Sequence, residues 1–414
     1  MDGLPETIRQ LRAVPHAPWR MRVRRVAVIL TSSRSGSTLF KTALARHPGI
    51  ASLDGEAEPF LAMSGNGFGY DPDCSSDAIA RLRNADTLAD DIFDGLVVPG
   101  ESAAPLPELK ERWRKRLLLQ FPALFAQGAA YVQLERALDE ALLFSRSPEA
   151  PGERELQHAV LSAVFWREPW RLDYYDGGHG PGQRRPFSEA AKIEEPPFVS
   201  PAMHARHFTE DDAAGKILLF KTPSDAYRAG LYEQLFPHAE VRYVHLARSA
   251  AASVNGLMDG WLSPIGFHAH DMQRHGITLG ISGYSEQCEG GHRWWKFDLP
   301  PNWRNYVAAP LEEVCLNQWL SCHRHIIDSG VAALPVRFEH FLSDPAGVLA
   351  RSCEWLGLPP LPSSPELAVT MATEEPAPGR WRKRSDQLLP LVQREEVADM
   401  MHTLGYGRAP EQWS

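Results

Sequence analysis

The run Arg24-Arg25-Val26-Ala27-Val28-Ile29-Leu30, then Thr31-Ser32-Ser33-Arg34-Ser35-Gly36-Ser37-Thr38, then Leu39 to His47, decides how the chain is read. Its first part is short, apolar and rich in β-branched residues, which suits a strand buried on both faces. Its last part carries Leu39, Ala43 and Leu44 at helical spacing and is stopped by Pro48. Between them, eight positions hold six hydroxyl side chains, one glycine and one arginine. Strand, tight loop and helix together make an anion site. Unpaired amides and the positive end of the helix dipole, about half a charge, face the loop. Ser35, Ser37 and Thr38 add hydroxyl donors, and Arg34 adds a planar fork for phosphate or sulfate oxygens. The plain alternative is a serine-rich turn between core elements; the density of hydroxyls weighs against it. An ATP or GTP loop needs glycine, four residues, then Gly-Lys-Ser/Thr. Here Thr31 and Ser37 replace the first glycine and the lysine, so the residue that grips the β- and γ-phosphates is missing.

Arg34-Ser35-Gly36-Ser37-Thr38-Leu39, with His47-Pro48 at the helix end and Gly55-Glu56 soon after, resembles the opening of the sulfotransferases that use 3′-phosphoadenosine 5′-phosphosulfate (PAPS). In that family the loop binds the 5′-phosphosulfate. The resemblance therefore implies Ser33, Arg34, Ser35, Gly36, Ser37, Thr38 and Leu39 as donor-binding residues. It continues at Leu235-Phe236-Pro237-x-Ala239, then Val244-x-Leu246-x-Arg248, which is similar to the family's segment that reads the 3′-phosphate. Arg248 would pair with that dianion. The family usually has a serine eight residues later; here Gly256 stands there, with Ser253 and Asn255 as nearby polar substitutes. Lys216 to Phe220 is an apolar strand ending in Lys221-Thr222-Pro223, where the family often has Lys-x-Pro near the donor. Leu334 to Phe338, followed by Asp344-Pro345, matches a later strand and a capped helix start. Finally Gly379-Arg380-Trp381, in a run with four cations in five residues, precedes a helix read as Leu388 to Leu404. That resembles the segment that closes over the nucleotide, although a basic run is more often a solvated face.

Sulfuryl transfer to a hydroxyl calls for a base, which typically contributes roughly 10²–10⁴-fold. Asp54, Glu56 and Glu58 follow the first strand–helix unit. The family pattern favours Glu56, with Glu58 a rival and Asp54 third; a solvated acidic turn is the structural alternative. Lys221 is read as a cation that stabilises the transferring sulfonate, or else as a lysine exposed at a strand end. His204 and His207 form H-x-x-H without further ligands and are minor candidates. No metal is required by this scheme.

The fold implied is a three-layer α/β domain with a central parallel sheet, like that of the P-loop NTPases, spanning 1–414, with a mostly helical insertion at 61–210. Helices are expected at Leu109 to Phe121, Gln133 to Phe144 and Glu153 to Trp166, and a loop at Gly177 to Gln183. Trp166, Trp170, Tyr174 and Tyr175 are either core or acceptor cleft. The stretch from Trp261 to Asn305, with His268, His270, Tyr284 and several tryptophans, is read either as acceptor-binding loops or as a second core cluster.

The whole 414-residue composition agrees with a soluble globular protein: 43% hydrophobic and 23% charged. A net charge of -9 argues against nucleic acid as the main partner. Five scattered cysteines without C-x-x-C argue against a disulfide framework or zinc ribbon. No stretch reads as a signal peptide or membrane span, so a cytoplasmic location is expected. The expected activity moves a sulfuryl group from PAPS to a hydroxyl of a small-molecule, sugar or lipid acceptor, leaving adenosine 3′,5′-bisphosphate. The alternatives are an ATP-dependent phosphotransferase and, given Gly256, a nucleotide-binding protein without activity.

Overall fold

The computed structural model describes residues 3–12, 14, 18–144, 152–175, 193, 194, 200–362, 367 and 377–413. Its core is set by the alternation in β1 (Arg25–Thr31). Val26, Val28 and Leu30 pack into one apolar cluster and Ala27 and Ile29 into another, so both faces of the strand are covered. β5 (Ile217–Phe220) splits the same way, Leu218 and Phe220 against Ile217 and Leu219. β1 is flanked in parallel by β5 and by β6 (Glu240–Ala247). β2 (Ile50–Leu53) adds in parallel outside β5, and β9 (Ala333–Arg337) outside β6. Pro335 is tolerated in β9 because that strand is an edge.

Two short strands inside 61–210, β3 (Leu96–Pro99) and β4 (Ala205–His207), extend the sheet antiparallel beyond β2. The order is β4-β3-β2-β5-β1-β6-β9, a mixed seven-stranded sheet with a parallel centre. A separate ribbon pairs β7 (His268–Asp271) with β8 (Trp294–Lys296). This is an α/β architecture with helices on both sheet faces. Ser37–Leu44 and Pro345–Trp355 pack on one, with Phe40 edge-on to Phe341 at 5.2 Å, a contact worth about 0.5–1.5 kcal/mol beyond its burial. Ala85–Gly95 and the far end of Leu311–Asp328 cover the other.

The insertion helices form at Leu106–Gln120, Gly128–Phe144 and Glu153–Val164 and hold their own core, which includes Tyr174 and Tyr175. The expected loop at 177–183 lies outside the described residues. Two expected helices are broken. The one from Ser224 to Phe236 becomes a 3-10 turn at Pro223–Tyr227 and a short helix at Leu231–Leu235, because Gly230 takes φ 97° between them. The closing helix becomes Ser385–Val392 and Glu395–Thr403, with Arg394 extended between them and paired to Glu313. Among the described residues, no helix is long and apolar enough to cross a membrane.

Candidate active site

β1, β2, β5 and β6 run parallel, and their carboxyl ends open on a cavity of about 850 Å³. This is where α/β sheets hold ligands. β1 stops at Thr31, and Ser32 to Gly36 turn into the helix Ser37–Leu44. Arg34 (φ 64°) and Gly36 (φ 78°) are both left-handed. A Cβ on Gly36 would lie 2.1 Å from Cε2 of Phe338, so the position has room for glycine alone. Part of the hydroxyl set fastens the loop. Ser32 and Ser35 bond each other at 2.6 Å, and Ser33 donates to Asp298 at 2.5 Å. The amides of Ser37, Thr38 and Leu39 precede the first intrahelical bond, from Phe40 N to Gly36 O at 3.2 Å. Ser33, Arg34, Gly36, Ser37, Thr38 and Leu39 line the cavity; Ser35 is fully buried behind them.

Arg248 follows β6 and reaches the same cavity. Its guanidinium donates to the carbonyl of Arg34 at 3.2 Å and lies 5.3 Å from the ring centroid of Phe338. Trp319 fixes the Arg248 carbonyl from behind at 3.1 Å. Burial pulls the Arg248 pKa down, with Glu339 opposing. The helix Ala250–Leu262 then carries Asn255 and Gly256 along the wall. Gly256 lies against Arg34: a Cβ there would sit 3.3 Å from Arg34 Cβ. Asn255 accepts a hydrogen bond from Arg384 and donates to Asp259 at 3.4 Å. Ser253 is not part of the wall; it is fully buried and its hydroxyl has no hydrogen-bond partner.

Asp259 also gathers the basic run. Arg380 reaches it at 2.9 Å, Lys383 at 2.9 Å and Arg384 at 2.7 Å. One carboxylate therefore holds three cations and pins the segment to the helix Ala250–Leu262. Arg380 and Trp381 line the cavity. Trp413 completes this side, its carbonyl accepting the Ser249 hydroxyl at 2.9 Å.

The opposite end is built from carboxylates. Lys221, just past β5, donates to Glu56 and to Thr38 Oγ1 at 3.2 Å. Glu58 accepts from Arg228 at 2.6 Å, and Arg228 is itself fixed by Asp225 at 2.9 Å. Protein encloses Glu58 on most sides and raises its pKa, although Arg228 opposes this. His270 of β7 meets Asp77 through Nε2 at 3.2 Å, and Asp77 is oriented by Ser224 at 2.8 Å and the Leu299 amide at 2.7 Å. Burial disfavours the imidazolium, but the Asp77 charge and hydrogen bond outweigh it and raise the His270 pKa. Burial likewise pushes Asp298 up to about 6, against hydrogen bonds from Ser33 and Tyr227. Lys41, buried under the loop and bonded to the Leu53 carbonyl, is pulled down to about 8.

The solved structures this chain is similar to are sulfotransferases. The sulfotransferase domain of the curacin biosynthetic pathway is 13% identical, with a TM-score of 0.38 over 93% of this chain and 99% of that one. The sulfotransferase domain of the Synechococcus PCC 7002 olefin synthase is 16% identical, with a TM-score of 0.36 over 96% and 99%. The sulfotransferase from Alicyclobacillus acidocaldarius is 11% identical, with a TM-score of 0.32 over 94% and 99%. No protein-family model and no curated protein sequence matches the chain.

The sequence-predicted residues thus separate into two ends of one cavity. Arg34, the loop, Arg248, Asn255, Gly256, Arg380 and Trp381 are at one; Lys221 bridges Thr38 of the loop to Glu56, and Glu56 and Glu58 lead into the other. Trp166, Trp170, Tyr174, Tyr175, His204 and His207 are not in its wall. Most of the Trp261–Asn305 aromatics are core, with Tyr284, Trp295 and Trp303 fully buried. Missed by sequence reasoning were the His270–Asp77 pair, Arg228, Asp298 and a stacked pair, Phe267 and Phe297. Those two rings lie 4.7 Å apart, both residues have positive φ, and Phe267 lies under the Arg34 guanidinium at 5.1 Å. A histidine-rich loop was the one available signal for His270; nothing local ties it to Asp77.

Proposed function

We propose that this chain is a PAPS-dependent sulfotransferase acting on a hydroxyl of a small molecule. The carrying observation is that Arg34 and Arg248 touch across one cavity, at the carboxyl ends of adjacent parallel strands, beside a helix start with open amides. The donor carries two separated anionic groups, a 5′-phosphosulfate and a 3′-phosphate. Arg34 and the Ser37–Leu39 amides suit the first, and Arg248 with Arg380 suits the second. Trp381 Nε1, buried in the same wall without a hydrogen-bond partner among the described residues, is a further donor for it. When bound, the donor supplies an activated sulfuryl group.

The protein's own groups then have distinct tasks. Arg34 and Lys221 place positive charge at the loop, where pre-set cations stabilise developing negative charge. Lys221, delivered from β5, brings to the loop an ammonium that Ser37 cannot supply. The acceptor proton needs a base held at hydrogen-bonding distance with a pKa near neutrality. Asp77 holds one nitrogen of His270 and leaves the other for the acceptor, so His270 is the leading base. Glu58 is second, and Glu56 third because Lys221 occupies it.

The test is donor dependence with separate binding and turnover readouts. Arg34→Ala and Arg248→Ala are expected to weaken adenosine 3′,5′-bisphosphate binding by ~10-fold or more in calorimetry. His270→Ala should leave that binding in place and lower kcat by roughly 10²–10⁴-fold. Turnover with ATP and Mg²⁺ but none with PAPS would overturn the reading in favour of a phosphotransferase. Nucleotide binding without any turnover would favour the non-catalytic alternative.

A further inference from the structure

We infer that the acceptor is an alcohol or phenol with an apolar body and no negative charge, and that an amine on it is favoured. The inference rests on the sulfotransferase reading only for the word acceptor; the charge distribution stands by itself.

The cavity is electrically lopsided. Its donor end presents Arg34, Arg248 and Arg380. Its other end presents Glu56 and Glu58, while Asp77 and Asp298 are buried in the wall behind their own hydrogen bonds. Most of these carboxylates have basic partners, so the end is not a bare anionic cluster. What matters is which member of each pair faces the space. The Glu58 side chain is 38% exposed and its partner Arg228 is 0% exposed. For Glu56 and Lys221 the figures are 36% and 5%. In these two pairs the cation lies behind and a guest meets the Glu56 and Glu58 oxygens; in the Asp77–His270 pair the imidazole is the more exposed member. An anionic guest would face like charge from these carboxylates and from the sulfonated donor, and like-charge contacts across an interface cost several kcal/mol.

Aromatic and aliphatic side chains make part of the chamber wall. Phe267 and Phe297 stack on one side, and Phe68 packs edge-on to His270 with ring centroids 5.7 Å apart. Pro59 and Ala62 add aliphatic surface. Positive φ at a bulky residue marks a position held by its surroundings. Here two glycines of the helix Ala250–Leu262 provide the room: a Cβ on Gly260 would lie 2.3 Å from Phe297, and Gly256 accommodates Arg34. The aromatic wall is therefore preformed. It offers apolar surface to an apolar body, while Glu56 and Glu58 offer acceptors to an ammonium.

A matched set of probes tests this. Tyramine, 4-propylphenol and 3-(4-hydroxyphenyl)propanoate differ chiefly in charge at one end. Their dissociation constants would be measured by calorimetry on the full chain, with and without saturating adenosine 3′,5′-bisphosphate. The amine and the neutral phenol are expected to bind ~10-fold or more tighter than the acid. In a Glu56→Gln/Glu58→Gln double variant the spread should shrink to about 3-fold or less. Three results overturn the inference: the acid binds as well as the others, the preference survives in the double variant, or no probe binds. If the chain fails to bind the nucleotide, the sulfotransferase reading falls instead, and the probe series without nucleotide still decides the chamber's preference.

Discussion

Gly36 answers to two constraints at once, a left-handed backbone and the face of Phe338. Gly36→Ala should cost ~1–2 kcal/mol for the conformation and ~1–3 for the overlap. Urea unfolding reads this directly; a loss below about 1 kcal/mol would mean that loop and ring adjust independently. Gly256 gives a subtler case. The resembled family has serine there, yet here that serine would press on Arg34. Gly256→Ser is expected to weaken nucleotide binding several-fold, by roughly 1 kcal/mol, with little change in melting temperature. Unchanged or tighter binding would show that Arg34 yields freely. At this scale the loop after β1 was legible as a cavity wall because its residues are contiguous: hydroxyls, glycine and arginine sit in eight positions. The His270–Asp77 pair was not, because its members come from distant segments and are joined only by folding.

Between elements, β6 and the helix Leu311–Asp328 are joined by an imidazole pair. His245 Nε2 and His323 Nδ1 are 2.9 Å apart. Burial lowers the His245 pKa from 6.5 to about 4, and burial together with His245 lowers that of His323 further. Both rings are neutral in the fold but take up protons near 6.5 when unfolded. The unfolded chain therefore binds more protons below 6.5, and stability falls as pH drops from there toward 4. Asp298 acts in the opposite sense. Its folded pKa is raised from 3.8 to about 6, so its burial costs more as pH rises through that interval. Glu58 and His270, whose pKa values are also raised, act in the same sense as Asp298. The pair is therefore read by difference: the slope of urea midpoint against pH between about 4.5 and 7 should be more positive in wild type than in His323→Gln. A slope identical to wild type would remove the pair as its source. Element existence was largely readable from period and β-branching, as at β1 and β5. Element ends were not: Gly230 and Arg394 break expected helices through backbone geometry that carries little pattern signal. β3 and β4 are four and three residues long, too short to announce themselves.

Across the whole molecule, Asp259 ties the basic run to the helix that also bears Asn255 and Gly256. Replacing it with asparagine removes the charge that Arg380, Lys383 and Arg384 share. Asp259→Asn is expected to speed tryptic cleavage within 380–384 by ~10-fold or more, as local opening becomes easier, while adenosine 3′,5′-bisphosphate restores protection. Equal cleavage rates in the two proteins would show that the segment is held by Trp381 and its apolar neighbours instead. Sequence order gave this scale its outline, since loop, Arg248 and closing segment fall in the family's sequence. The charge polarity of the cavity was invisible, because it depends on which partner of each ion pair faces inward.

The Ser249–Trp413 bond bears on how the molecule is made. A nascent chain exposes its β1 loop early, but the pocket gains its last wall only after residue 413 has left the ribosome. Chains are built from the amino end at about 5–20 residues per second, so a ligand of this cavity meets the complete wall only on chains synthesised past that residue. Such a ligand stabilises the folded state by mass action. It should then lengthen the protein's lifetime more than it raises the fraction of newly made chains that fold.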